Sequence, residues 1–329
     1  MPRRGSLAVV HRRTLYADGP EVSEISCTTF SVNEGWDAEE NDESIAALHA
    51  AIDAGVNFVD TAHVHGEGHS ERVIGSVLRE RPETVHIATK VPPANRLWPA
   101  PGGIPVVDAF PKGHIRAHTE RSLGDLGVEA LDLQQLHVWN REWLGGDWQQ
   151  EVADLRAEGL IRAFGVVVNN HDPGSAVGLV RSGLIDTVAT IYDIFDQSPE
   201  DELFAACREH GVGVIARMPL DNGGLVGHLE PDSTFPEGDW RRAYFRGDRP
   251  AQVCARVDSI VAELAIPTTA LAETAIRYVL SAPEVATVTV GMRRPAAVPL
   301  NAPTADGRGL PAVQVALLKK HRWDRNFHT

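Results

Sequence analysis

G-V-N-F-V-D-T-A-H-V-H-G-E-G-H-S-E-R-V-I-G (Gly55–Gly75) joins two periodicities in one short stretch. The apolar run 57–60 (NFVD), ending in an acid, has the pattern of a buried parallel strand. Val73, Ile74, Val77 and Leu78 then fall on one face of a helix. Between strand and helix lies a loop carrying His63, His65, Glu67 and His69. Strand, polar loop and amphipathic helix together make one β-α unit.

The same unit recurs along the chain. Predicted strands are 25–30, 57–60, 84–90, 131–138, 162–168, 185–192, 212–217 and 285–290, with helical patterns between them such as Ile45, Leu48 and Ile52 on one face. Ser198, followed by Pro199 and Asp201, reads as the N-cap of a helix running to about His210, which Gly211 stops. Eight strands in strict alternation with helices predict an α/β fold, a (β/α)8 TIM barrel with long loops at its C-terminal face. The expected organisation is a single domain over 1–329, with 1–24 as an N-terminal extension and 303–329 as a docking segment anchored by Trp323 and Phe327. Two Pro/Gly-rich segments, 91–113 and 220–250, follow the third and seventh strands, where barrel loops line a pocket.

Composition narrows the partners. The chain has 43% hydrophobic and 23% charged residues, enough for a large core, and a formal net charge of -14. Excess negative charge argues against nucleic acid or an anionic membrane and leaves a small-molecule substrate, with a homo-oligomer possible. The basic, aromatic run Leu318–Phe327 is too short to reverse that balance. Cys27, Cys207 and Cys254 are odd in number and widely spaced, so no disulfide framework or zinc knuckle is expected, and the expected compartment is the cytoplasm. Lysines are few, only Lys90, Lys112, Lys319 and Lys320, which singles out Lys90.

Asp60 ends the second predicted strand, Lys90 ends the third and His137 nearly ends the fourth, so all three project at the same mouth of the barrel. These residues sit in motifs whose order is informative. Gly55–Gly75, I-A-T-K (Ile87–Lys90), L-D-L-Q-Q-L-H (Leu131–His137), G-L-I-R-A-F-G-V (Gly159–Val166), V-I-A-R-M-P-L (Val214–Leu220) and V-G-M-R-R-P (Val290–Pro295) together resemble the aldo-keto reductase superfamily over nearly the whole chain. The resemblance implies a barrel and NADPH-dependent carbonyl reduction by Asp, Tyr, Lys and His. By motif, Asp60, Lys90 and His137 take three of these places, and His65 stands where the family's D-T-A-x-x-Y places tyrosine.

Imidazole changes the chemistry, because a tyrosine hydroxyl titrates near 10 and an unperturbed histidine near 6.5. Lys90 beside it favours the neutral ring. Departures also appear among the family's cofactor contacts. Ser26, Cys27, Thr28 and Thr29 replace a glycine-rich strand end, Val167 and Val168 replace serine and asparagine, Ala189 replaces glutamine, and Ala297 and Leu300 replace polar residues near the adenine. If NADP is bound, Gly291, Arg293 and Asn301 are the cofactor-binding residues that persist, and Asn169 supplies the amide from one residue along. Several lost hydrogen bonds, each worth about 0.5–1.5 kcal/mol, weaken binding by orders of magnitude.

The expectation is therefore redox-neutral proton-transfer chemistry (elimination, dehydration or isomerisation) on a small carbonyl- or hydroxyl-bearing metabolite, with no cofactor. The alternative is an NADP(H)-dependent carbonyl reductase with His65 as proton donor. Lesser alternatives are a metal-dependent hydrolase built on His63 and His65, although no metal set is complete, and a non-catalytic partner subunit. Substrate contacts are expected from Trp36, Trp98, Trp139, Asn140 and Arg217, the last suited to an anionic group.

Overall fold

Strand residues that point inward in a parallel barrel repeat with period two, and that phase carries the molecule from its core to its mouth. The computed structural model describes residues 10–28, 38–168 and 171–327. A short antiparallel hairpin, β1 (Arg12–Thr14) with β2 (Glu21–Ser23), precedes the barrel. The barrel strands are β3 (Ile25–Thr28), β4 (Phe58–Asp60), β5 (His86–Val91), β6 (Leu131–Leu136), β7 (Ile161–Val167), β8 (Thr187–Ile191), β9 (Gly213–Arg217) and β10 (Val285–Gly291). They pair in parallel, each with its sequence neighbours, and β10 closes on β3. Helices between the strands complete a (β/α)8 barrel.

Inside the barrel Phe58, Ala88, Leu133, Ala163, Ala189 and Ile215 form a compact apolar cluster with Leu15 and Val22 of the hairpin. The hairpin thus packs on the inward residues at the N-terminal ends of the strands. That contact is why residues 12–23 are ordered, and the sequence reading had placed them in an extension without strands. Close approach is required there, since a Cβ on Gly213 would lie 1.6 Å from the Leu15 carbonyl oxygen. The opposite strand faces, among them Val59, Ile87, Val166, Val188, Val214 and Val288, bury into the main core.

Two residues beyond these inward apolar positions, the same phase reaches Asp60, Lys90, Gln135 and Arg217. The barrel is greasy at its base and charged at its mouth. Strand boundaries differ from the sequence reading by a residue or two, as fraying ends do.

Local differences have physical reasons. Ser198 is not an N-cap: it opens a 3-10 turn, Ser198–Glu200, and its hydroxyl bonds Asp196 Oδ1 at 2.5 Å. The helix proper is Leu203–His210, ended by Gly211 at φ +68. The C-terminal chain docks at Trp323, whose backbone N–H donates to the Phe195 carbonyl at 2.8 Å. No single helix among the described residues is long and apolar enough to cross a membrane.

Candidate active site

β4, β5, β6 and β9 end around a cavity of about 550 Å³, whose wall includes Asp60, His65, Lys90, His137, Arg217 and Gly291. Lys90 is buried, and its Nζ donates to Asp60 Oδ1 at 2.6 Å and to the Thr61 carbonyl at 2.7 Å. Gln135 Nε2 also donates to Asp60 Oδ1, at 3.3 Å, steadying the carboxylate from a third strand. Gln135 was missed in the sequence reading. Its signal was present, since it shares the inward phase of Leu133 and His137.

Electrostatics at this mouth favour neutral histidines. Burial, then the charges of Lys90 and Arg217, push the His65 pKa down to about 3. The same causes, in the same order, hold His137 well below its ordinary value. Burial also lowers Lys90, and the charge and hydrogen bond of Asp60 oppose that fall. At neutral pH the cavity therefore holds two neutral imidazoles, the Asp60 and Lys90 pair, and Arg217.

Arg217 differs from Lys90, the other cation among the described residues of the cavity wall. Its Nη1 is buried without a hydrogen bond, and among the described residues no carboxylate lies within ion-pair distance of its guanidinium. Asp60 acts on it only as a charge at longer range, opposing the lowering that burial imposes.

The long loops supply the rest of the wall. Trp98, 40% exposed, meets His137 edge-on at 5.9 Å between ring centroids. Trp240, from the second long segment, and Met218, Leu220 and Asn222 after β9 also face the cavity; none of these was singled out from sequence. Met218, Asp221 and Asn222 have φ of +57, +46 and +56, a left-handed backbone that non-glycine residues adopt only when surrounding contacts hold it.

Two expected substrate contacts lie elsewhere. Trp139 is 5% exposed, its indole N–H donates to the Ser175 carbonyl at 3.0 Å, and its ring packs edge-on against Trp143 and Trp148. Asn140 caps a 3-10 turn, accepting from the Glu142 N–H, and its amide donates to the Pro101 carbonyl. The strand ends at Leu136, so the inward phase does not extend to position 139. Trp36 and Asn169, together with Thr29, fall outside the described residues. Gly291 borders the cavity, and among the described residues nothing stands within 4 Å of where its Cβ would be, whereas Arg293 and the helix Val298–Asn301 lie outside the wall.

His63 and His65 diverge. His63 leaves the cavity and contacts Glu71 at 3.3 Å, and with Asp125 these form a group whose ligand atoms lie within 4.8 Å of one another. Arg72 pairs with Asp125 at 3.1 Å and Arg121 Nη1 lies 3.5 Å from His63 Nε2, so cations already serve that group. Glu71 also accepts from the Thr89 hydroxyl at 2.6 Å, tying the helix His69–Glu80 to the outer face of β5.

The family model described as the aldo/keto reductase family matches residues 24–322. The D-threo-aldose 1-dehydrogenase of Pseudomonas sp is 30% identical over 282 residues, covering 80% of this chain and 83% of that protein. The NADH-specific methylglyoxal reductase of Escherichia coli (strain K12) is 26% identical, covering 76% and 81% respectively. The holo form of aldo-keto reductase AKR11C1 from Bacillus halodurans superposes with a TM-score of 0.75 at 24% identity, over 96% of this chain and 97% of that one. Both curated relatives carry oxidoreductase names, so the expectations of redox-neutral chemistry and of no cofactor lose their support. With a family match across nearly all of its length, a closed eight-stranded barrel and Asp60, Lys90 and His137 at the motif positions, this chain is an enzyme of the aldo/keto reductase family.

Proposed function

We propose that the protein is an NAD(P)H-dependent oxidoreductase that interconverts a small carbonyl compound and its alcohol, with His65 in the place of the family's tyrosine. One observation carries the reading: a buried ammonium, Lys90, held by Asp60 and the Thr61 carbonyl at the wall of a cavity that two neutral histidines also border. The names of the relatives support the nicotinamide. The cavity also suits such a group: Asn222 Nδ2 is buried there without a partner, and open space lies over Gly291. Asn222 and Gly291, with Arg293, Asn301 and Asn169, are the residues proposed to hold it. When bound, NAD(P)H supplies the hydride.

The protein's own part is polarisation and proton supply. Neutral His65 and His137 donate N–H hydrogen bonds to the carbonyl oxygen, in a site where burial strengthens them. Lys90 is the acid. Its lowered pKa makes loss of a proton easier, and His65 passes that proton to the developing alkoxide, taking one at one ring nitrogen as it gives one at the other. Asp60 is a positioning residue, which holds Nζ and keeps the ammonium charged until substrate binds.

The test is a fluorescence titration with NADPH and with NADH, followed by cofactor oxidation over a panel of small aldehydes and ketones. At least one cofactor binds saturably and is oxidised, and Lys90→Met lowers kcat by about 10²–10⁴, the span of a lost general acid. Failure of both cofactors to bind at millimolar concentration overturns the proposal.

A further inference from the structure

We infer that Arg217 forms an oxyanion-binding subsite, so that the natural substrate of this cavity is a carbonyl compound bearing a carboxylate. The inference rests on the reductase reading for the reaction, but on Arg217 itself for the anion.

A guanidinium that is drawn from water without a counter-charge is destabilising, and proteins pair such groups when their role is structural. Arg217 has every opportunity to be paired, because Asp221 stands four residues along the same loop. That carboxylate turns away, accepts from the Tyr244 hydroxyl at 2.5 Å and pairs with Arg325 at 2.6 Å. Among the described residues the one carboxylate on the cavity wall, Asp60, is taken by Lys90 and Gln135. Of those same described residues, the wall carries two basic side chains, Lys90 and Arg217, and one acidic one, Asp60, which Lys90 occupies. Among the described residues, then, nothing on the wall offsets the Arg217 charge, and an anionic ligand group would.

Position selects which ligand. Arg217 ends β9 and Lys90 ends β5, on strands separated around the barrel by β6, β7 and β8 on one side and by β10, β3 and β4 on the other. A substrate whose carbonyl oxygen lies beside Lys90, His65 and His137 therefore extends across the mouth toward Arg217. The planar fork of a guanidinium matches two carboxylate oxygens. Trp98, Leu220 and Trp240 add apolar surface to the wall, which suits a short carbon chain between the two polar ends.

The experiment compares Arg217→Met with wild type on matched substrates, succinic semialdehyde as the carboxylate and butyraldehyde as the neutral counterpart, with NADPH and NADH each saturating. Loss of a charge-assisted bidentate contact lowers kcat/KM for the carboxylate by about 10–200-fold, mainly through KM, and changes the neutral aldehyde by less than about threefold. Arg217→Lys restores part of the loss, since it keeps the charge without the fork. The melting temperature of Arg217→Met stays level or rises, a readout that a structural arginine would move downward. Equal losses on both aldehydes, or a raised KM for the cofactor with no change in carboxylate preference, overturn the inference. If neither aldehyde is turned over by wild type, thermal shifts with propionate and propionamide decide the matter separately. Propionate alone stabilises wild type and not Arg217→Met if the subsite exists, and absence of that difference overturns it whatever the reaction is.

Discussion

Arg217 and Arg325 are both drawn out of water near the C-terminal face of the barrel, and they are treated oppositely. The Arg325 side chain is 4% exposed, paired with Asp221 at 2.6 Å, and enclosed by the rings of Phe195, Trp323 and Phe327 at 5.3, 4.8 and 4.6 Å from their centroids. Burial alone would lower its pKa, yet Asp221, Tyr244 and Asp193 hold it raised. Arg217 stands at the start of the same loop, and among the described residues no carboxylate lies within ion-pair distance of it. A compensated charge fixes the C-terminal chain against the loop after β9; an uncompensated one is what the proposed anion subsite uses. Position in sequence does not distinguish the two arginines. Whether a carboxylate meets the guanidinium does.

Substitution should expose this contrast first as stability. Arg325→Met strands the buried Asp221 carboxylate, so it is expected to destabilise the fold by about 3–5 kcal/mol in urea unfolding. Arg217→Met removes a cation that has no partner, and its unfolding free energy should be unchanged or raised. A loss of more than about 1 kcal/mol in Arg217→Met, comparable to an ordinary destabilising mutation, would place the two arginines in one class and break the comparison.

A smaller effect sharpens the electrostatic side. His65 has an ordinary value of 6.5 and a folded value pushed down to about 3. Between those values the unfolded chain binds a proton that the native one refuses, so native stability falls as pH drops from 6.5 toward 3. His65→Phe should flatten that slope relative to wild type while leaving stability at neutral pH nearly level. An unchanged slope would mean that His65 is protonated in the folded state and that the positive field of Lys90 and Arg217 is weak. The catalytic counterpart lies at the other end of the scale. Reductive kcat/KM should decline as pH rises through the lowered pKa of Lys90, because the acid form is then lost.

The barrel was legible in the sequence because its signal is repetitive. Eight β-branched runs alternate with helical faces, and an error of one or two residues at the ends, as at 84–90 against His86–Val91, changes nothing downstream. The meeting of Asp60, Lys90 and His137 was legible for the same reason, since strand ends converge in this fold. Trp139 was misread because the strand stops at Leu136 and the chain then turns its indole into the core. The hairpin Arg12–Ser23 carries too few residues for a periodicity, and its order comes from Leu15 and Val22 packing on strands far along the chain. Partnership was the least readable property. Nothing in the spelling R-M-P-L-D shows that Asp221 would pair with Arg325, more than a hundred residues later, and leave Arg217 alone.

The central claim, hydride transfer by a family member that lacks the tyrosine, meets its most direct test in isotope tracing. NADPH or NADH deuterated on the transferring face of C4 is incubated with wild type and a turned-over carbonyl substrate, and the product is analysed by mass spectrometry. One deuterium on the former carbonyl carbon of the alcohol is the predicted result. A product that has lost water or isomerised, with no deuterium and no oxidised cofactor formed, would contradict it.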